Sequence, residues 1–393
     1  MKIPRGFRGG AATAGLKKSG KSDIGLIVSD TPCVGAGLFT RNKFAGANIG
    51  LCRTHLARGT VRGIVVHAGQ ANACTGSAGV KLAEATAAAA AGLLDARAED
   101  FVVGSTGVIG VLPDLARIRA GLEQIVAAGL TPEGIEAVGK AMMTTDLVPK
   151  SAEATCRLGG KQVRLLGLVK GSGMIHPNMG TMLAYVLTDA RLPKGELRRA
   201  LRDAADASFH CLTVDGDTST SDMVVALANG AAGNEAMSSA DLEDFRGALT
   251  KVCQSLARQV AADGEGATRL VTIRVRQAGS VADARRAGMA VGSSNLVKTA
   301  IFGRDPNWGR IACAVGNSGA DFDPDRVAIK LQGAAIFAQG RPLAHDRGAV
   351  SRALADSKEV LIEIALGAGD QQATVWTCDF SYDYVRINAE YTT

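Results

Sequence analysis

The sequence predicts a mixed α/β protein in which layered sheets carry helices on their outer faces, and three observations predict it. Short β-branched runs alternate with amphipathic or alanine-rich stretches of helical length. The 48 glycines gather in short turn-like clusters rather than in linkers, so many tight loops join the elements. Neither a strict βαβ alternation nor an unbroken series of strands occurs, which favours layered sheets over a doubly wound fold.

The elements follow in order. Residues 24–28, 63–66 and 101–103 read as strands, and alanine-rich 81–97 reads as a helix. Helices are predicted over 115–127 and 132–142, the second opened by Thr131 as N-cap with Pro132 and Glu133 behind it. Strands at 163–169 and 182–187 flank a glycine-rich connection, Lys170-Gly-Ser-Gly-Met-Ile-His-Pro-Asn-Met-Gly180, where the chemistry is expected. Amphipathic helices at 194–209 and 239–262, a strand at 270–275 and a helix at 281–289 with Ser280 as N-cap complete the pattern. There is no internal repeat and no low-complexity linker. A quiet boundary near Gly279 divides an α/β domain at 1–279 from a second at 280–393.

Composition excludes several classes. A chain of 393 residues with 47% hydrophobic and 21% charged residues can fill a large core and is too apolar for disorder. The net charge of +6 is spread over 44 basic and 38 acidic residues with no basic run beyond pairs, so nucleic acid is not an expected partner. Eight cysteines without a C-x-x-C pair, and five histidines without H-x-x-x-H spacing, point to no metal and to reduced, mostly buried thiols. The N-terminus has no apolar core of signal-peptide length, and no stretch approaches the roughly 20 apolar residues of a membrane span. A cytoplasmic protein without membrane contact is expected.

One motif misleads. Gly15-Leu-Lys-Lys-Ser-Gly20-Lys21-Ser22 fits the phosphate-loop pattern G-x-x-x-x-G-K-[ST]. A phosphate loop leaves a buried strand and enters a helix, whereas here Arg8-Gly-Gly-Ala-Ala-Thr precedes and strand-like 24–28 follows. An exposed basic turn before the first strand is the better reading.

Thr181 follows Gly180 at the mouth of a predicted strand. A mid-chain threonine is a poor nucleophile, but cutting its own amide bond frees an α-amine with a pKa near ~8 beside the hydroxyl, which can act as base. Gly180, lacking Cβ, lets the Thr181 oxygen approach its carbonyl for an N-to-O acyl shift and hydrolysis. Taken alone, a threonine opening a strand more often reflects β geometry.

The segment from Lys170 through Tyr185 resembles the processing segment of the ornithine acetyltransferase (glutamate N-acetyltransferase) family, and further blocks agree in order along the whole chain. They include Ala71-Asn-Ala-Cys-Thr-Gly76, Ser105-Thr-Gly-Val-Ile-Gly110, Met143-Thr-Thr-Asp146, Val214-Asp-Gly-Asp-Thr-Ser-Thr220, Asp263-Gly-Glu-Gly-Ala-Thr268, Asp305-Pro-Asn-Trp-Gly-Arg310 and Ile387-Asn-Ala-Glu-Tyr391. The resemblance implies a layered αββα fold and autocatalytic cleavage at Gly180-Thr181 into chains 1–180 and 181–393, paired as an α2β2 heterotetramer. It implies ping-pong transfer of acetyl from N2-acetyl-L-ornithine to L-glutamate through acetyl-Thr181, in arginine biosynthesis, with no cofactor.

Residue by residue, the resemblance makes Thr181 the nucleophile and the Thr106 hydroxyl with the Gly107 amide the oxyanion hole. Substrate contacts map to Thr144, Lys170, Thr181, Glu265, Asn388 and the terminal Thr393, with Thr145 adjacent to Thr144. From charge alone, Lys170 suits the substrate carboxylate and Glu265 the ornithine ammonium. Asp215, Asp217 and Asp222 are read as structural, their serine and threonine neighbours suiting turns and caps. Three departures stand out: Gly180 where the family commonly has alanine, Gln70 where asparagine is expected, and Arg304 where a small residue is usual. One rival is a bifunctional enzyme that also takes acetyl-CoA as co-substrate. From other classes come a self-processing amidohydrolase or aminopeptidase and an uncleaved binding protein.

Overall fold

The computed structural model describes residues 1–176 and 182–390. The first part of the chain forms β1 (Phe7–Ala12), β2 (Ile24–Phe39), α1 (Ala47–Arg58), β3 (Thr60–Gln70), α2 (Gly76–Leu93), β4 (Phe101–Val108), α3 (Leu115–Ala128), α4 (Gly134–Ala141), β5 (Lys150–Leu158), β6 (Lys161–Lys170), β7 (Leu183–Thr188), α5 (Lys194–Asp206), β8 (Met223–Ala228) and α6 (Ser239–Ala262). The remainder forms β9 (Leu270–Ala278), α7 (Val281–Gly292), α8 (Asn295–Phe302), α9 (Trp308–Gly316), β10 (Ala328–Leu331), β11 (Ala334–Ala338), β12 (Arg341–Pro342), α10 (Arg347–Asp356), β13 (Glu359–Ala365), β14 (Gln371–Cys378) and α11 (Tyr382–Glu390).

Strands β1–β8 make one eight-stranded mixed sheet in the order β4-β3-β2-β8-β7-β6-β5, with β1 also on β2. The long β2 folds this sheet over on itself. Before a register shift between Val28 and Cys33 it pairs with β1 and β3, and after the shift residues 34–39 pair with β8. Ile64, Val66 and Val102 of one half therefore share an apolar core with Leu166, Leu168, Tyr185 and Val225 of the other. The halves touch closely at Gly104, where a Cβ would lie 1.9 Å from the Tyr185 hydroxyl. On the outer faces, Val65 and Val103 pack with Leu82 of α2 and Leu122 of α3, while Leu165 and Val186 pack with Leu201 of α5 and Val252 of α6. The expected helix-sheet-sheet-helix layering results.

Helix α1 covers the open edge strand β4. Asn48 Nδ2 donates to the Val103 carbonyl at 3.0 Å, the Cys52 thiol reaches the same oxygen at 3.3 Å, and a His55 ring nitrogen lies 2.7 Å from the Phe101 carbonyl. Burial pushes the Cys52 thiol up to about 12, so it serves as a neutral donor.

Strands β9–β14 form a second sheet in the order β12-β11-β10-β13-β9-β14, and α6 packs on strands of both sheets. The change of sheet falls between Ala228 and Leu270. Strand β9, on the N-terminal side of the boundary expected at 279, hydrogen-bonds within the second sheet to β13 and β14.

Helix α6 matches its reading to the residue, and Ser280 caps α7 by accepting from the Asp283 amide at 3.0 Å. Thr131 Oγ1 accepts from Gly134 N at 3.0 Å, although α4 starts only there. Helix α2 begins at Gly76 and ends at Leu93, earlier at both ends than 81–97, with Asp95 in the left-handed region at φ 48°. Helix α5 stops at Asp206, and a short 3-10 turn at Phe209–Cys211 takes the place of its expected last turn.

The phosphate-loop motif lies in the hairpin between β1 and β2. A strand does precede it, unlike the reading above, but a second strand rather than a helix follows. The amides of Leu16 and Lys17 donate to the Asp23 carboxylate at 2.6 and 3.0 Å, and Lys17 Nζ donates to the carbonyls of Ser22 and Ala141, both at 2.7 Å. These groups are turned onto the protein itself, so the turn is not a phosphate cradle, while Lys18 and Lys21 are exposed as the basic-turn reading expects. Among the described residues no helix is long and apolar enough to cross a membrane. The eight cysteines are free thiols, with Cys74 and Cys313 exposed.

Candidate active site

At the end of the doubly layered sheet, one cleft is lined by Thr106, Gly107, Thr144, Thr145, Lys170, Gly173, Glu265 and Asn388 among others. Six residues named from the sequence thus meet from five separate stretches of chain. Gly180, Thr181 and Thr393 lie outside the described residues. The residue after Thr181, Met182, is buried, and its carbonyl accepts from Met223 N at 3.0 Å as the chain enters β7.

Thr106 and Gly107 lie in the last residues of β4, paired with Ala68 and Gly69 of β3, rather than in a tight turn after the strand. Gly107 has φ 124°, and a Cβ there would lie 2.4 Å from the Gly69 carbonyl of the paired strand, so only glycine fits. Lys170 ends β6 and is 6% exposed. Its Nζ donates to Thr144 Oγ1 at 2.7 Å and to Thr106 Oγ1 at 3.4 Å. An ammonium has three donors, so one remains to face the cleft. Thr106, accepting from Lys170, keeps its own O–H proton available for an incoming oxygen.

Burial lowers the pKa of Lys170, and Lys150 adds to the effect, while Asp146, Glu265 and Asp222 oppose it. Burial raises the Asp146 carboxyl, but Lys170 and Lys150 together outweigh it and bring it down to about 2. Glu265 lies three residues beyond α6; its amide donates to the Ser172 carbonyl at 3.0 Å and its Oε2 accepts from Asn388 Nδ2 at 2.9 Å. Asn388 sits on helix α11. Thr144, rather than its neighbour Thr145, makes the contact to Lys170, although both line the cleft.

One glycine of the connection after β6 has a steric reason. Gly173 is glycine for space: a Cβ would lie 2.2 Å from Glu265 Oε2. The connection is tied down by Asp215, whose carboxylate accepts from Met174 N at 2.5 Å and Ile175 N at 2.9 Å, so its structural reading describes an anchor for this segment. Burial raises Asp215, and it pushes Asp222 well above the usual carboxylate range against the pull of Lys170. Sequence reading passed over Lys150 and Tyr384. Burial raises the Tyr384 hydroxyl, which stays neutral in the cleft wall.

A hydroxyl and an amide at the end of one strand, beside a buried cation and an anion that line the same cleft, define an acyl-transferring enzyme of small charged substrates. The sequence matches the ArgJ family over residues 8–393. The arginine biosynthesis bifunctional protein ArgJ of Symbiobacterium thermophilum is 47% identical over 99% of this chain and 98% of its own, and that of Thermus thermophilus 46% over the whole of both. The crystal structure of arginine biosynthesis bifunctional protein argJ from Bacillus halodurans is 41% identical, covering 54% of this chain and 100% of the solved one, with a TM-score of 0.52. The chain belongs to the ArgJ family, and its activity is acetyl transfer in arginine biosynthesis.

Proposed function

We propose that this protein moves an acetyl group from N2-acetyl-L-ornithine to L-glutamate through an acetyl-Thr181 intermediate, after cutting itself between Gly180 and Thr181. The observation that carries the reading is the cleft that Lys170 and Glu265, opposite in charge, line together with Thr106 and Gly107. An α-amino-acid carboxylate docks on the free donor of Lys170, and the ornithine ammonium docks on Glu265, which Asn388 holds in place.

The Thr181 hydroxyl attacks the acetyl carbonyl, its proton passing to the new α-amine. Negative charge on the carbonyl oxygen is met by the Thr106 O–H and the Gly107 N–H. Collapse expels the ornithine amine, which takes the proton. Glutamate then attacks the ester by the reverse steps, held by the same Lys170. Thr144 steadies Lys170 throughout, and the terminal Thr393 completes the substrate contacts.

The reading extends to a cytoplasmic heterotetramer of two 1–180 and two 181–393 chains, without a cofactor. The word bifunctional in the relatives' names favours a second donor, acetyl-CoA, acetylating glutamate at the same Thr181. Intact mass measurement of wild type beside Thr181→Ala is the first test. Two fragments in wild type alone support the nucleophile, and a single full-length chain in both overturns it. Incubation with each donor separately, with glutamate present or withheld, then separates transfer from hydrolysis and one donor from two.

A further inference from the structure

Lys150 does not line the cleft, but Asp146, one of the carboxylates that hold it, bonds to Thr144 of the lining. Lys150, at the start of β5, is 2% exposed, and its Nζ lies 2.7 Å from Asp146 Oδ1 and 2.6 Å from Asp263 Oδ2. Both carboxylates are themselves buried, at 8% and 7% exposure. Each also grips backbone. Asp146 accepts from Thr144 N at 3.0 Å and from Gly171 N at 2.7 Å, and Asp263 Oδ2 accepts from Leu147 N at 3.0 Å. The Ser172 hydroxyl donates to the Asp263 carbonyl at 2.7 Å, and the Ser172 carbonyl accepts from Glu265 N at 3.0 Å.

The three segments joined in this way carry Thr144, Lys170 and Glu265 into the cleft. We propose that Lys150 is a positioning residue: clamped between Asp146 and Asp263, it fixes the separation of Lys170 and Glu265 and so sets affinity for amino-acid substrates that carry charges at both ends. The inference rests on the acetyl-transfer reading above. Burying an ammonium between two carboxylates removes three charges from water, and apolar packing of equal volume serves stability as well or better. What apolar packing cannot do is hold three backbone segments in one register through directional bonds.

Asp263→Asn can keep an oxygen at the place of Oδ2 for both Leu147 N and Lys150 Nζ, and removes the negative charge from one arm of the clamp with little change of shape. Steady-state transfer is measured for wild type, Asp263→Asn, Lys150→Met and Lys150→Arg, alongside thermal unfolding and the extent of self-cleavage. In Asp263→Asn the KM for both N-acetylornithine and glutamate rises roughly 10-fold, while kcat stays within about 3-fold, as expected when binding groups shift together. Lys150→Met gives the larger rise, and Lys150→Arg, which restores a cation, recovers most of it. A folded, cleaved Asp263→Asn with unchanged KM for both substrates overturns the proposal, even if its melting temperature falls. If Lys150→Met does not fold, the Asp263→Asn result decides alone. A cleaved wild type that transfers no acetyl group overturns the acetyl-transfer reading, and this inference with it.

Discussion

Strands β7 and β8 are buried at every residue, whereas β13 in the second sheet alternates between buried and partly exposed positions along its length. The difference follows from what covers them. The first sheet is folded into two layers with helices outside, so its central strands meet protein on both faces. In the second sheet α7 packs on β9 and β14, Val271, Ile273 and Val275 lie in the core, and Arg274 and Arg276 of the same strand face water. Polar chemistry can open in the first sheet only where strands end, and there the charges must find partners inside the protein. The second sheet carries Arg274 and Arg276 on a solvated face, and its buried charges, Arg269 with Asp379, likewise lie where its strands begin and end.

The sharpest way to break this comparison is to load each sheet with one changed side chain. Gly104→Val drives a side chain into the Tyr185 hydroxyl, which a Cβ would approach to 1.9 Å; we expect a loss of roughly 3 kcal/mol or failure to fold, read by denaturant unfolding. Gly173→Ala is aimed at function instead. The Cβ meets the far end of the Glu265 side chain, which can swing aside, so stability changes little while transfer from N-acetylornithine falls roughly 100-fold. Equal melting temperature with equal activity would mean that Glu265 needs no fixed place.

Two smaller effects read the internal charges by pH. The Asp146 carboxyl is depressed from 3.8 to about 2, so its contribution of roughly 2 kcal/mol is present above pH 4 and disappears as pH falls through the folded value. Asp146→Asn should flatten stability between about pH 4 and 2, and an unchanged acid limb would remove Asp146 as its source. Lys170 has a lowered pKa, so it loses its charge at a lower pH than an ordinary lysine and kcat/KM falls on the alkaline side. Lys170→Arg, charged throughout, should move that limb upward even if its maximum is lower. The smallest effect is on the solvated sheet: Arg274→Ala should change stability by less than about 0.5 kcal/mol.

Much of the layering was legible because its signals are local. Helix α6 could be read to the residue since Ser238 and Asp241 form a capping box before an amphipathic run. The start of α2 was missed because Gly76-Ser-Ala-Gly carries no apolar period, and the preceding Thr75 makes no side-chain cap. Strand β1, rich in glycine and alanine, gave no β-branched signal and escaped notice. At the site, Lys170 and Glu265 could be named only by resemblance, since nothing local marks either as a binding group. The clamp on Lys150 could not be seen at all: Leu147 and Asp263, which it holds together, are 116 positions apart.

The path of β2 has a consequence for a chain cut between residues 180 and 181. Strands from the leading piece pair with strands of the trailing piece at β2 with β8 and at β6 with β7. Severing one peptide bond leaves the native fold knitted through both ladders, so the pieces travel together as long as they stay folded. Once unfolded, they part, and re-formation becomes an encounter between two molecules whose rate depends on concentration. Cleavage would thus make the thermal midpoint depend on protein concentration, and in dilute solution the lifetime of the mature protein would be set by its unfolding rate.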